Sequence, residues 1–451
     1  MKYVQLVAVM AALWFLGSGV EGILHHLDHG FEGAIMPAVV ALGAFCAVAV
    51  LSVYLSKGTA LPPFMTLALL TVASQEFFLP VLGDSKTVVL MFLAIVGAVL
   101  ILLQGGLETP FHNFRKLFWK IASLAFVGLF VTAVLFSYGL VAIGGMLGVS
   151  ITAVTAVLLG AILASTDPAA IVPVTRDLKW KDLTAKDTVV AESALSDVTG
   201  ALLTFTLLPL AVAGSMDSIW TGGYAHVLTG GTVWFIVQQV LIGTCTGLIG
   251  WLILHLFDKY TAGQKENHAV DMLVIVFVAL VPAYMLALIF AGNGFLAAFV
   301  AGLIFHVKDH MRHTEHRYAD FIDVFGKGAV FFALGMLVDV QALIDYAFIG
   351  VLAAIAFMFI MRPIAVLISI GPFLLFQGKD KTKSVSWQDM AFMMWVRETG
   401  AIPAVLLVVA AGMSIPGTEA LVPVGMWVII LTLIVQPPLT PWLAKKLDLV
   451  D

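Results

Sequence analysis

Charge is what this chain has least of. Asp, Glu, Lys and Arg make up only 11% of its 451 residues, while 61% are hydrophobic. A water-soluble globular protein of that composition would lack polar cover for its exterior, so that class is excluded. Cysteine is nearly absent. Cys46 and Cys245 both fall inside apolar runs; they read as packing residues, and no disulfide framework follows. No basic patch interleaves with aromatics, which leaves no basis for a nucleic-acid partner. Low-complexity segments are missing too. The longest polar stretches, near 176–186, 257–268, 306–323 and 378–388, are too short for a soluble domain.

What fills the chain instead is apolar runs. The mean hydropathy is +1.05, and many stretches exceed the roughly 18 apolar residues that read as a membrane span. They lie near 3–22, 34–56, 62–82, 87–109, 118–142, 150–175, 187–213, 227–256, 269–289, 294–306, 325–340, 343–377, 388–413 and 421–444. The eighth and twelfth are long enough for tilt or helical extensions; the tenth and eleventh are short and read as broken. The expectation is an all-α polytopic membrane protein with about 13–14 transmembrane helices. Of the Lys and Arg residues, Arg362 and Arg397 fall within spans, Lys86 lies alone on one side, and all the others lie on the side of the N-terminus. The positive-inside rule makes that side cytoplasmic, with both termini there, in a cell (inner or plasma) membrane. Residues 1–22 share Lys2 and an apolar core with signal peptides. The run is long for that role and has no small-residue cleavage site, so a retained first helix is expected. The chain ends shortly after the last span, with no regulatory domain expected there.

Acids stand inside these spans. Asp167, followed by Pro168, lies in the sixth; Glu192 and Asp197 lie in the seventh. A carboxylate at that depth costs roughly 2.5 kcal/mol or more and faces a bundle interior or a water-filled path. Ser193 and Asp197 share one helix face, and Glu192 and Ser196 an adjacent one. Glu192 and Asp197 are separated by about 140° of helix rotation, so they cannot both grip one small cation. Asp197 with Ser193 is therefore assigned to the ion path, and Glu192 to a structural cation. Pro168 removes a donor and unwinds the turn, freeing carbonyls that could ligate Na⁺ or K⁺. Asp167 is placed to neutralise the half-helix N-terminus that starts near Pro168. Arg362 and Arg397 each need a partner, and Glu192 is the leading candidate for one of them. Asp167, Glu192, Asp197 and Glu398 outnumber the two arginines, an excess suited to holding a cation or protons. Sequence leaves open whether Glu398 faces the core or pairs outward.

The sixth and thirteenth spans are both interrupted at charges, at Asp167-Pro168 and at Arg397 through Pro403. Matching broken segments in two halves point to a transporter site. Their offset of seven spans gives opposite orientation, so the second to seventh and ninth to fourteenth spans read as inverted repeats. His25, His26 and His29 with Asp28, and His306, His310, His313 and His316, have spacings that suit Zn²⁺ or pH sensing. Loops at membrane edges collect histidine for solvation alone, and that reading is preferred. Glu76 and Glu108, near span ends, are expected at the interface.

These motifs carry a resemblance. Gln104-Gly105-Gly106-Leu107-Glu108, Ser165-Thr166-Asp167-Pro168, Glu192 through Asp197, Gly292 through Ala297 with Gly302-Leu303, Arg362-Pro363, and Arg397 through Pro403 stand in the order and spans of one family. The chain resembles the monovalent cation:proton antiporter superfamily, nearest its NhaP-type sodium/proton branch. The resemblance implies an NhaA-like fold, with inverted repeats and two crossing broken helices. It implies a homodimer that is a transporter and no enzyme, needs no cofactor, and exchanges Na⁺, or K⁺ or Li⁺, for H⁺ by elevator-like alternating access. Asp197 would bind cation and proton in turn. Thr166, Asp167 and Ser193 would be ligands or line the site beside Ser196, with Na⁺ at Asp197, Ser193 and Thr166. Glu192 resembles the glutamate paired with a core arginine, in a charge network with Arg362, Arg397 and Glu398.

The implied division is an extra helix and external loop at 1–33, scaffold helices at 34–109, core helices at 110–215 and a linker helix at 216–260. A second scaffold set follows at 261–342 and a second core set at 343–451. Two departures stand out. Ser196 replaces the family's asparagine, which leaves one aspartate at the pair and favours one-for-one exchange. Val396-Arg397-Glu398-Thr399-Gly400 replaces Gly-x-Arg-Gly and adds an acid, which reopens the stoichiometry. The competing classes are a proton-uncoupled gated cation channel on the same scaffold and an intramembrane aspartyl protease using Asp167 and Asp197. Motif order and repeat symmetry speak against the protease.

Overall fold

A computed structural model describes residues 2–26, 31–59, 61–109, 111–167, 178–261, 268–305, 312–375 and 385–450. Among these residues every regular element is helical, apart from one isolated antiparallel bridge between Trp180 and Val450. That is the expected outcome where lipid offers no hydrogen bonds and each segment must satisfy its own backbone. We number the helices α1 (Lys2–His26), α2 (Phe31–Ser56), α3 (Pro63–Ala73), α4 (Lys86–Glu108), α5 (Phe111–Met146), α6 (Ala153–Leu163), α7 (Thr184–Val212) and α8 (Gly230–Thr261). They continue with α9 (Val270–Ile289), α10 (Gly294–Ile304), α11 (Lys327–Leu337), α12 (Ala347–Leu374), α13 (Trp387–Trp395), α14 (Ala401–Gly412) and α15 (Leu421–Lys446).

Eight of these contain a stretch long and apolar enough to cross a bilayer: α2, α4, α5, α7, α8, α9, α12 and α15. Shorter apolar helices fill the remaining runs. Phe92, Trp119 and Trp234 are exposed on helix faces, as suits side chains whose solvent is hydrocarbon.

Three expectations change. The eleventh run is not broken: α11 continues a helix that starts at Arg312 and passes through a π-helical turn at Ile322–Gly326. The charged residues 312–321 read as loop because hydropathy does not separate a helical extension in water from a coil. Lys327, counted with the loops, is consequently a buried helical residue, ion-paired with Asp323 one turn earlier. The tenth run is short but continuous as α10. Cys46 and Cys245 are exposed and pack nothing inside.

The repeat symmetry is visible in the packing. α4 lies on α10 and α3 lies on α11, and these two pairs exchange places under an inverted repeat of seven spans. In the first pair the backbones touch. A Cβ added at Gly302 would come within 2.9 Å of the Leu107 nitrogen, and one at Gly106 within 2.7 Å of the Leu303 nitrogen. Small residues permit this approach, which van der Waals packing rewards in a membrane. The Gly105-Gly106 and Gly302-Leu303 motifs are thus two sides of one helix crossing. At the end of α11, the Gln75 amide donates to the Gly335 and Val338 carbonyls at 2.7 and 2.8 Å, satisfying acceptors that the helix leaves open. α5, α6 and α7 pack with α12, α13, α14 and α15 around the two chain interruptions.

Candidate functional site

The first interruption follows α6 at residues 164–167, and the second separates α13 from α14 at 396–400. They lie against each other. The Asp167 amide donates to the Glu398 carbonyl at 2.9 Å. The Asp167 carboxylate accepts from the Ala401 amide, the first residue of α14, at 2.9 Å. In return, Arg397 donates to the carbonyls of Leu163, at 3.0 Å, and Ala164, at the end of α6. Its guanidinium also stands 4.9 Å from the Phe357 ring centre. Each interruption therefore supplies the charge that closes a half-helix end of the other: an acid at an N-terminus, a cation at a C-terminus. Gly400 makes room for this, because a Cβ there would overlap the Asp167 carboxylate. Sequence assigned Asp167 to the half-helix beginning at Pro168. Residues 168–177 lie outside the described residues; what Asp167 is seen to cap is α14, in the opposite repeat.

α7 presents its polar face to the first interruption. Ser193 Oγ donates to the Thr166 carbonyl at 2.6 Å. Ser196 Oγ accepts from the Thr166 amide at 3.1 Å and lies 2.9 Å from Thr166 Oγ1. The two serines thus hold Thr166 at its amide, carbonyl and hydroxyl together. Asp197, 5% exposed, follows on the same helix, with Ser165 beside its carboxylate and Asp167, Glu192 and Arg397 acting on it through charge. Among the described residues, Asp197 Oδ1 and Ser165 Oγ have no hydrogen-bond partner. Glu192 points elsewhere. Arg362 grips it with both Nη atoms, at 3.2 and 3.1 Å, and donates Nε to the Met393 carbonyl at 3.2 Å. The Glu192 partner is therefore Arg362 and not Arg397.

Two chain interruptions meeting beside a buried aspartate form the arrangement that the motifs implied, and a family comparison agrees. A model of the sodium/hydrogen exchanger transmembrane region matches residues 46–446. This chain belongs to the sodium/hydrogen exchanger family. The K(+)/H(+) antiporter NhaP2 of Shewanella baltica is 27% identical over 75% of this chain and 54% of its own length. The K(+)/H(+) antiporter NhaP of Alkalimonas amylolytica is 26% identical over 91% of this chain and 67% of its own. The Na(+)/H(+) antiporter ApNhaP of Aphanothece halophytica is 22% identical over 78% and 63%. This chain spans about half the length of the first of these relatives. The sodium proton antiporter MjNhaP1 of Methanocaldococcus jannaschii has a similar fold, with a TM-score of 0.67 at 19% identity, over 91% of this chain and 99% of that one.

The candidate site of this exchanger-family chain also contains residues that sequence reasoning passed over. π-helical turns interrupt α5 at Ser123–Gly128 and α12 at Phe357–Met361, immediately before Arg362. Such turns displace carbonyls from the helix ladder. Thr199 Oγ1 accordingly donates to the Ala125 carbonyl at 2.8 Å, and the hydroxyl of Ser123, at the start of the first such turn, donates to the Ser369 carbonyl of α12 at 2.7 Å. From α15, Gln436 donates to the Trp395 carbonyl at 2.5 Å, and Thr432 Oγ1 accepts from the Thr399 amide at 3.3 Å. Ser165 was within reach of sequence, since it opens the Ser-Thr-Asp-Pro motif; the α15 pair carried no signal beyond polar residues in an apolar run.

Glu398, which sequence left between core and exterior, is 1% exposed and belongs to the core. Among the described residues, buried atoms without a hydrogen-bond partner include Ser165 Oγ at the first interruption, Asp197 Oδ1 on α7, and Arg397 Nε, both Glu398 oxygens and Thr399 Oγ1 in the second. Buried polar atoms normally find partners, so the unpaired Asp197 oxygen, with Ser165 beside it, could take a guest. Carboxylate, hydroxyl and carbonyl oxygens are the donors a hard monovalent cation takes. The described residues hold no cluster of three His, Cys, Asp or Glu fit for a metal ion. The side chains of both histidine groups, His25 to His29 and His306 to His316, lie outside the described residues.

Proposed function

We propose that the chain exchanges a monovalent cation for protons across the membrane, with cation and proton competing for Asp197. The observation that carries this is the crossing itself. It sets a buried carboxylate with an unpaired oxygen beside unwound backbone and hydroxyls, with the half-helix charges already cancelled by Asp167 and Arg397. Loaded with a cation or a proton, Asp197 is neutralised and the core helices can pass the low-dielectric barrier. Empty, it carries a charge that is costly to move. Coupling follows from that difference: only loaded states cross.

The cation ligands in this reading are Asp197, Ser193 and Thr166, with Ser196 holding Thr166 in place. Na⁺ is the leading cation, and the K(+)/H(+) names of two relatives make K⁺ a second arm of the test. The helices that pair as α3 with α11 and α4 with α10 would form a static, dimerising scaffold. The helices around the interruptions would move against it as an elevator. Cytoplasmic termini and a cell-membrane location follow from the Lys and Arg distribution.

The test is proton flux in proteoliposomes with Na⁺, K⁺ or Li⁺ gradients, for the parent and for Asp197→Asn. The parent is expected to move protons against at least one of these cations. The variant, which has no charge to neutralise, is expected to show none while eluting as the parent does on gel filtration. Parental flux in the variant overturns the role of Asp197. Cation flux without proton movement would make the protein a channel.

A further inference from the structure

α15 carries three polar side chains one turn apart, Thr432, Gln436 and Thr440, and all three are buried. A spacing of four puts them on one helix face. A membrane helix gains from such a face only where each group has a partner on a neighbour. The partners lie at the second interruption. Gln436 Nε2 donates to the Trp395 carbonyl at 2.5 Å. The Trp395 indole donates to Thr440 Oγ1 at 2.9 Å, and Thr440 Oγ1 in turn donates to the Gln436 carbonyl at 2.8 Å. The Thr399 amide donates to Thr432 Oγ1 at 3.3 Å.

Two of these contacts replace one missing helical bond. An α-helix joins each amide to the carbonyl four residues back. Had α13 run on, the Thr399 amide would have met the Trp395 carbonyl. α15 gives that carbonyl a donor and that amide an acceptor, so neither gains by closing the turn. Without them, two bare backbone groups in an apolar surrounding would favour a continuous helix. α7 acts in the same way at the first interruption, where Ser196 Oγ accepts from the Thr166 amide. α7 and α15 are the seventh and fourteenth spans, mates under the inverted repeat. They differ in the next residue: Asp197 follows the hydroxyl of α7, and Leu433 follows that of α15. The second half keeps the support and has no carboxylate at the matching place.

Given cation–proton exchange at Asp197, on which this reading rests, we propose that Thr432 and Gln436 are positioning residues for the cation site: they hold the second interruption open, and through it the first. The link is short. The stretch that they hold, 396–400, contains Arg397, which bonds the carbonyls at the end of α6. It ends beside the Ala401 amide, which donates to the Asp167 carboxylate. Thr166 lies between those two contacts in the first interruption. A second interruption that closes into helix withdraws both contacts and releases Thr166 from its place beside Ser193 and Ser196.

Thr432→Val keeps the side-chain shape and removes the oxygen, Thr432→Ser keeps the oxygen, and Gln436→Leu removes the donor. Cation-driven proton flux is measured in proteoliposomes over a range of Na⁺ (and, in parallel, K⁺) concentrations, per amount of folded protein. Thr432→Val and Gln436→Leu should each raise the half-saturating cation concentration about tenfold, the equivalent of one unmade buried hydrogen bond. Thr432→Ser should keep the parental value. The double variant should do little more than the stronger single one, because both residues guard the same break. Residues that only stabilise the fold would lower the yield and leave half-saturation unchanged; that result in the Val and Leu variants overturns the proposal, as does Thr432→Ser behaving like Thr432→Val. Coupling between sites is reciprocal, so saturating cation should slow amide hydrogen exchange across 395–401 in the parent, a readout that needs no variant to fold. Unchanged exchange there overturns the proposal too. A parent without cation–proton flux removes the exchange reading itself; faster amide exchange across 395–401 in Thr432→Val would still show that α15 holds the break, and an unchanged rate would remove that role as well.

Discussion

Glu192→Gln isolates the pair on which the core's electrostatics rest. Glu192 and Arg362 are each 1% exposed and meet through two parallel contacts of 3.2 and 3.1 Å. Removing one member of such a pair leaves an uncompensated buried charge and costs about 3–5 kcal/mol. Glutamine keeps the volume and one acceptor oxygen, and the Arg362 bond to the Met393 carbonyl survives, so the low end of that range, about 3 kcal/mol, is expected. That is about two decades in the folded-to-unfolded ratio. The double variant with Arg362→Gln removes both charges and should recover much of the loss, with a coupling energy of about 2–3 kcal/mol. Reversible unfolding in mixed micelles, followed by circular dichroism, measures all four proteins of the cycle. Additive single effects, or a Glu192→Gln loss below about 0.5 kcal/mol, would refute a desolvated and mutually dependent pair.

Two further outcomes follow from the crossing. Gly400→Ala places a methyl on the Asp167 carboxylate and should displace it from the Ala401 amide. Loss of that cap costs about 0.5–2 kcal/mol, and proteoliposome exchange should fall about tenfold or more if the same strain reaches the transition state; a parental rate would show that Asp167 is not held there. Ser196→Ala leaves the buried Thr166 amide without its acceptor, a loss of about 1–3 kcal/mol. Cation affinity, read from the concentration dependence of exchange, should weaken with it; unchanged affinity would mean that Thr166 stays in place without Ser196.

Much of the membrane architecture was legible along the chain, because hydropathy and intramembrane charge are local properties. An apolar run of sufficient length becomes a helix wherever it sits in lipid. An acid beside a proline marks an interruption whatever surrounds it. The positions of the interruptions at Asp167 and Arg397 and the burial of an acid at Asp197 follow from such local features. What sequence mistook was also local in character: residues 312–321 are charged enough to pass for a loop, and Lys327 for a loop cation, although both are helical.

Partnership was decided only by the tertiary structure, because it depends on rotation about helix axes and on segments far apart in the chain. Glu192 finds Arg362 across 170 residues, and Asp167 caps a half-helix 234 residues away. Either arginine would have served Glu192 by charge alone; the geometry of α7 and α12 chose one and sent the other to the end of α6. Glu398 was one acid among several in the sequence. The turn at the second interruption buries it in the core, next to Arg397 in the chain.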